Sequence, residues 1–309
     1  MKILVTGSNG FIGKHVCNYL REQGCYVVGL GKNTRSKTEC DEYLCCDLFS
    51  DKVTHIFDET KIDTVDAIVH LASDMRHEPY EVEVVANNCT GMQRLIELSK
   101  AKKIPVFIQL SSLPVIGTPK HHPITEEHPI HPPTVYHATK YMQEILAEYA
   151  NYTHGLRTVS FRICSPVGDG DNPNTIFPTF VRKALSNEDI VIYGKGTRKQ
   201  TYIHVKDIAI AIWKAINTNA QGVYNLASNN LISNLDLAKK CIELTNSSSK
   251  IIFSDIDDPL DEVVWDISIE RLISDTGFNP TISIDDAILD VANAMKRQAI
   301  KNEKQVKLE

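Results

Sequence analysis

The sequence predicts an α/β fold, a doubly wound parallel sheet, on three observations. Short apolar, β-branched runs alternate with amphipathic helical stretches through the first half of the chain. The turn between the first run and the first helix reads "TGSNGFIG", with Gly7, Gly10 and Gly13. From about Pro166 the regular alternation stops, as expected where a second, smaller unit joins the sheet.

Each element follows from its pattern. "KILVTG" is apolar and ends in glycine, as a buried parallel strand does. The spacing predicts a helix from about Phe11 to Gln23, with Ile12, Val16 and Leu20 on one stripe. "CYVVGLG" and "VDAIVHLA" read as the next strands. A long helical stretch from about Tyr80 to Lys102 precedes the strand "PVFIQLSS". A helix carrying Tyr136 leads to the strand "LRTVSFRIC". Strand–helix alternation at this spacing implies right-handed crossovers and a parallel sheet. In the second half, "NTIFPTFVRKALSNE" reads as an amphipathic helix and "IVIYGKG" as a strand. "DIAIAIWKAINT" reads as a helix with Asp207 as N-cap. "VYNLAS" is a further strand, and "SNLDLAKKCIELT" and the stretch near 266–275 are helices. The charged tail, 301–309, is expected to fray.

The bulk properties exclude several classes. The net charge is −6 with no basic stripe, which gives nucleic-acid binding no support. No apolar run approaches the ~20 residues of a membrane span. The chain opens directly on a strand without a charged leader, and its eight cysteines form no C-x-x-C pair. Reduced thiols in a cytoplasmic protein are the expectation. His121, His122, His128, His131 and His137 cluster in a proline-broken segment, which lacks the fixed convergence of a metal site; no metal is expected. His204 reads as structural.

"TVYHATKYMQE" places Tyr136 one helical turn before Lys140. A free phenol titrates near pH ~10 and is a poor acid–base group at neutrality. A fixed ammonium on the same face favours phenolate. The glycine turn supplies a second chemistry: close backbone approach and a helix N-terminus suit a dinucleotide pyrophosphate.

With these motifs the chain resembles the extended short-chain dehydrogenase/reductase family, in particular its NAD-dependent epimerase/dehydratase group acting on nucleotide sugars. The resemblance spans nearly the whole chain and rests on the G-x-x-G-x-x-G turn, "YHATK", "CDL", "VHLAS", "NNCTGMQRL", "LSSLPVIG", "FRICSPVG", "TYIHVKD" and "WDISIERLISDTGFNP". It implies a Rossmann-type domain over 1–165 with 199–226 returning to it, and a small substrate-binding domain from 166–198 and 227–300. It implies that Tyr136 is the general acid/base, that Lys140 lowers its pKa and holds the nicotinamide ribose, and that Ser112, with Ser111 as the alternative, hydrogen-bonds the reacting oxygen. The cofactor would meet Gly7, Asn9, Gly10, Phe11, Ile12 and Gly13 at the turn. Lys32, Arg35, Asp47 and Leu48 would meet its adenosine end, and Leu71, Ala72, Ser73 and Asn88 its middle. Ser73, Ser112, Ser165, Arg198 and Gln200 would meet substrate. Homodimerisation through the helices at 80–102 and 134–153 is a further implication.

Departures from the family pattern narrow the chemistry. Dehydratases of the group carry an Asp–Glu pair after the serine or threonine; here stand Leu113 and Pro114, which move no protons. C4 epimerisation or keto-sugar reduction is the expectation. Gly31 replaces the acid that grips the ribose 2′-hydroxyl of NAD, and Lys32, Arg35 and Lys37 follow, so NAD or NADP is expected, with a lean to NADP. Gln200 stands where epimerases often have a phosphate-binding arginine, with Arg198 and Lys199 just before it. The late segment "SDIDDPLDEVVWD" is acidic where a second arginine is usual. A non-nucleotide carbonyl or alcohol is therefore the alternative substrate. A dinucleotide-sensing regulator without catalysis is the reading from another class.

Overall fold

The computed structural model describes residues 1–58 and 60–306. Its first half builds strand by strand. β1 (Lys2–Thr6) leads through the glycine turn into α1 (Phe11–Glu22), followed by β2 (Tyr26–Gly31), β3 (Glu42–Cys45) and β4 (Ala67–His70). Next come α2 (Glu81–Val85), one π-helical turn (Ala86–Thr90) and α3 (Gly91–Lys102). β5 (Val106–Ser112), α4 (Val135–His154) and β6 (Arg157–Ile163) complete this half. Thr134 caps α4 by accepting the His137 amide, and Gly155 ends it at φ 64°.

The second half has shorter elements: β7 (Pro166–Val167), α5 (Ile176–Leu185), β8 (Ile190–Ile192), β9 (Lys199–Gln200) and β10 (Ile203–His204). α6 (Val205–Ile216), β11 (Gly222–Leu226), β12 (Ile232–Ser233) and α7 (Asn234–Leu244) follow. β13 (Ile251–Phe253), α8 (Glu270–Thr276) and α9 (Ile284–Val306) finish the chain.

Seven strands form one Rossmann-type parallel sheet in the order β11-β6-β5-β4-β1-β2-β3. Alternation along β1 sends Ile3 and Val5 to one face and Leu4 to the other. On the first face Val16 and Leu20 of α1 pack with Ile208 and Ile212 of α6. On the second, Met92 and Leu95 of α3 pack with Ala147 and Ala150 of α4. Strand order reverses at β1, between β2 and β4. A crevice at the carboxyl ends of these strands is the usual ligand site of such sheets. A third cluster joins Phe177 and Val181 of α5, Leu237 and Cys241 of α7, and Ile288 and Val291 of α9.

Two expectations are corrected. The helical stretch at 80–102 is interrupted by the π-turn, where the chain must bring Asn88 inward, 3% exposed. Asp207 is not the cap of α6. His204 takes that place, accepting the Lys206 amide at 3.3 Å, while Asp207 is buried and receives Thr281 N, Thr281 Oγ1 and Ile282 N at 3.0, 2.8 and 3.1 Å. The tail carries α9 on to Val306, and 307–309 lie outside the described residues. No group of three or more metal-ligating side chains that could hold an ion occurs among the described residues. Among them, no helix is long and apolar enough to cross a membrane.

Candidate active site

A cleft of about 1560 Å³ opens over the carboxyl ends of β1, β2, β4, β5 and β6. Its floor begins at the glycine turn. Gly7 holds φ +67°, and a Cβ there would stand 2.7 Å from Ala72 N. A Cβ on Gly13 would stand 2.1 Å from Gly7 O, so the start of α1 can sit this low only without side chains. Gly10 caps α1 with no side-chain partner for the free amides, and no acid stands in the first turn. An open helix N-terminus on a side-chain-free turn fits a pyrophosphate.

The other expected cofactor residues distribute as follows. Phe11, Ile12, Leu48, Leu71 and Ala72 line the cleft. Asn9 lines it too, but its side chain pins the adjacent loop: Oδ1 accepts Lys37 N at 2.7 Å and Nδ2 donates to Tyr43 Oη at 3.1 Å. Lys32 and Asp47 both line the cleft and pair with each other at 3.1 Å. Arg35 is exposed and stands off it. Asn88 tethers the loop above β4, accepting Asp74 N at 2.7 Å and donating to Asp74 O and Thr139 Oγ1, both at 2.9 Å.

Ser112, Tyr136 and Lys140 meet at this cleft with Ser73. The two serines at the end of β5 separate by pleat. Ser111, 1% exposed, donates to Glu144 Oε1 at 2.5 Å, whereas Ser112 Oγ makes no hydrogen bond among the described residues. Ser112 is thus the free hydroxyl. Tyr136 lies against Ser73 in this cleft. Burial raises its phenol above the ordinary value, and a hydrogen bond with Ser73 only partly opposes this. The Lys140 ammonium donates to Gln143 Oε1 at 2.7 Å. Burial also lowers Lys140 to about 8, with Glu144 and Cys89 opposing.

On the substrate side, Ser165 lines the cleft at φ +21°, a left-handed conformation uncommon for a residue other than glycine. Gln200 lines it and donates to Tyr202 Oη at 2.7 Å. Arg198 stands off the cleft; its Nε is buried without a hydrogen-bond partner among the described residues. Leu113 is buried and Pro114 lines the cleft beside Ser112.

Sequence reading missed two groups. Asp171 lines the cleft with Oδ2 buried and without a hydrogen-bond partner among the described residues, and burial pushes its carboxyl up to about 6. Asp74 and Arg76 also line it. Their bidentate contact, with Nε–Oδ1 at 2.9 Å and Nη2–Oδ2 at 2.6 Å, holds the Asp74 carboxyl well below the usual range. Nothing in "GDGDNPN" or "SDMRH" separates these side chains from an ordinary polar loop.

Comparison with known proteins agrees with this geometry. The model of the NAD dependent epimerase/dehydratase family matches residues 3–227. The chain is 30% identical to the low-salt glycan biosynthesis protein Agl12 of Haloferax volcanii, over 80% of this chain and 84% of the relative. It is 27% identical to a dTDP-glucose 4,6-dehydratase of Streptomyces niveus, over 94% and 91%. Among solved structures, a UDP-glucose 4-epimerase of Thermotoga maritima superposes with a TM-score of 0.86 at 21% identity, covering 97% of this chain and 100% of that one. A UDP-glucuronic acid 4-epimerase of Bacillus cereus, solved with NAD and UDP-glucuronic acid, superposes at 0.81 and 22% identity, covering 96% and 100%. The lean to NADP gains no support: the matching family is NAD-dependent, and Lys32 is already paired with Asp47. The glycine turn, the hydroxyl–phenol–amine set and the family match over 3–227 lead to one conclusion: this chain is an enzyme of the NAD dependent epimerase/dehydratase family.

Proposed function

We propose that the enzyme epimerises a nucleotide sugar at C4, with NAD held on the glycine turn. The observation that carries this reading is the shared cleft of Ser112, Tyr136 and Lys140, with Pro114 rather than an acid beside them. Without a proton donor at 113–114, elimination of water lacks its acid. Oxidation followed by re-reduction needs only one proton shuttle.

When bound, NAD supplies reversible hydride acceptance. Tyr136 takes the proton of the reacting hydroxyl and later returns it, so one group serves as base and then as acid. Ser112 donates to the oxygen as it gains carbonyl character. The raised phenol favours the acid half of the cycle. The base half needs added positive charge near Tyr136, which Lys140 supplies at longer range than its contact with Gln143. Lys140 would hold the nicotinamide ribose. The substrate's diphosphate would call on Arg198, half-buried two residues before Gln200.

The division of labour is a Rossmann-type unit of 1–165 and 199–226 and a substrate unit of 166–198 and 227–300. The pairing of β11 with β6 and the separate cluster of α5, α7 and α9 support it. The enzyme acts in the cytoplasm as a homodimer. Met142, Ile145, Tyr149 and Tyr152 form an exposed stripe along α4 beside Val82 and Val85 of α2, and a second copy of this face would cover it.

The test is chemical. The purified protein is denatured and any released nucleotide identified; UDP-, dTDP-, GDP- and CDP-sugars are then titrated by calorimetry and assayed for C4 inversion. Retained NAD with turnover of one sugar nucleotide is expected. Binding of none would favour a non-nucleotide carbonyl substrate, a second reading motivated by Gln200 and by Arg198 standing off the cleft. An empty site preferring NADPH would turn the reading to a keto-reductase.

A further inference from the structure

A lysine side chain has four rotatable bonds and ordinarily samples many rotamers. Lys140 is 3% exposed, and among the described residues its ammonium has one direct acceptor, Gln143 Oε1 at 2.7 Å. Gln143 sits one turn later on α4 and is fully buried. Its Nε2 donates to the backbone carbonyl of Asn88 at 2.9 Å, inside the π-turn, and lies 3.4 Å from His70 Nε2. His70 Nδ1 in turn meets Thr6 Oγ1 at 2.8 Å.

An ammonium has donors only, so it dictates which way the amide points. The oxygen must face Nζ and the nitrogen must face the Asn88 carbonyl. A buried amide with both ends committed is a rigid strut between the helix that carries the amine and the turn that interrupts α2 and α3. The neighbouring carboxylate does not take this part. Glu144 is occupied by Arg162, at 2.8 Å, and by Ser111. The other titratable groups facing Lys140 are Cys89 on the π-turn and His70 on β4, and burial together with Lys140 lowers His70 to about 3, so both neighbours are uncharged at neutral pH.

We propose that Gln143 is a positioning residue for Lys140: its side-chain amide bridges the ammonium to the Asn88 carbonyl and fixes where the cation stands at the floor of the cleft. The consequence for cofactor binding rests on the NAD reading above. The bridge itself does not.

The experiment separates the two. Full-length protein labelled with 13Cε-lysine is titrated from pH 6 to 11 by NMR, the Lys140 resonance being assigned by its loss in Lys140→Arg. Gln143→Leu removes the acceptor; Gln143→Glu keeps it and adds charge. The Lys140 midpoint should fall by about one unit in Gln143→Leu and rise by about one unit in Gln143→Glu. At pH 7 the NAD dissociation constant should rise about ten-fold in Gln143→Leu and stay within about three-fold in Gln143→Glu. Should Gln143→Leu fail to fold, the upward shift in Gln143→Glu decides alone. Midpoints that do not move in folded variants overturn the proposal. Wild-type protein that binds no NAD overturns the cofactor reading, while the titration still decides the role of Gln143.

Discussion

Arg162 on β6 and Glu144 on α4 form an ion pair at 2.8 Å with side chains 5% and 3% exposed. The contact is bidentate, with Nε to Oε1 at 3.0 Å and Nη2 to Oε2 at 2.8 Å, and Arg162 Nη1 also donates to Glu126 O at 2.9 Å. A buried pair gains little over an apolar one, but breaking it strands a charge. Glu144→Ala should therefore cost about 3–5 kcal/mol in urea denaturation, and Arg162→Leu a similar amount. Replacing both with leucine should recover part of the loss. If the single variants unfold at the wild-type midpoint, the pair does not hold α4 against the sheet.

The same pair explains which serine is free for chemistry. Both serines line the cleft, but Glu144 takes Ser111 and leaves the Ser112 hydroxyl without a partner among the described residues. Tyr136→Phe should lower turnover by about 10²–10⁴-fold with NAD still bound, the range for loss of one positioned acid/base. Ser112→Ala should fall in the same direction. Ser111→Ala should mainly lower the melting temperature. Steady-state kinetics and thermal melts of the three variants check this. Equal activity loss in Ser111→Ala and Ser112→Ala would undo the assignment.

Much of this was legible in the sequence because it depends on local pattern. Short continuous apolar runs such as "KILVT" and the turn at Gly7, Gly10 and Gly13 specify the sheet and its ligand end without tertiary information. What escaped depends on contacts distant in the chain. Asp207 looks like a cap because it precedes an apolar helix, yet its partners Thr281 and Ile282 lie 74 and 75 residues on. Gln143 and His70 are 73 residues apart, and neither carries a motif. The contact of Lys140 with Gln143 also escaped, because helical spacing gives proximity, not direction.

His70 gives a signature in stability. Burial lowers its folded pKa to about 3, while the unfolded chain titrates near the ordinary ~6.5. Between these values the unfolded state binds the extra proton, so stability falls as pH drops below about 6.5 and continues to fall towards 3. The slope from this one group approaches about 1.4 kcal/mol per pH unit. The stability gap between wild type and His70→Asn should thus shrink on going from pH 7 to pH 4. Denaturation curves at four pH values test it; a gap that does not depend on pH would mean that His70 is not buried neutral.

The stripe on α4 predicts an oligomeric state. Tyr152 is 89% exposed and Val82 80%, unusual for large apolar groups unless another surface covers them. Wild-type protein should sediment as a dimer. Ile145→Glu combined with Tyr152→Glu should give monomer with an unchanged circular dichroism spectrum. A monomeric wild type would remove the homodimer from the proposed function.

Arg198 decides how an anionic substrate would be held. The residue is half-buried; its Nε is buried without a hydrogen-bond partner, and no carboxylate pairs with it among the described residues. Gln200, at the position where relatives often place arginine, is committed to Tyr202 and brings no charge. A charge-assisted hydrogen bond is worth about 1.5–3 kcal/mol, or about 10–100-fold in affinity. Arg198→Gln should weaken binding of the preferred sugar nucleotide by that factor and leave NAD affinity within about two-fold. Calorimetry with each ligand reads both numbers. Equal loss for NAD and sugar nucleotide would point to misfolding. No loss for either would leave a diphosphate without its cation here, and the non-nucleotide substrate would become the better reading.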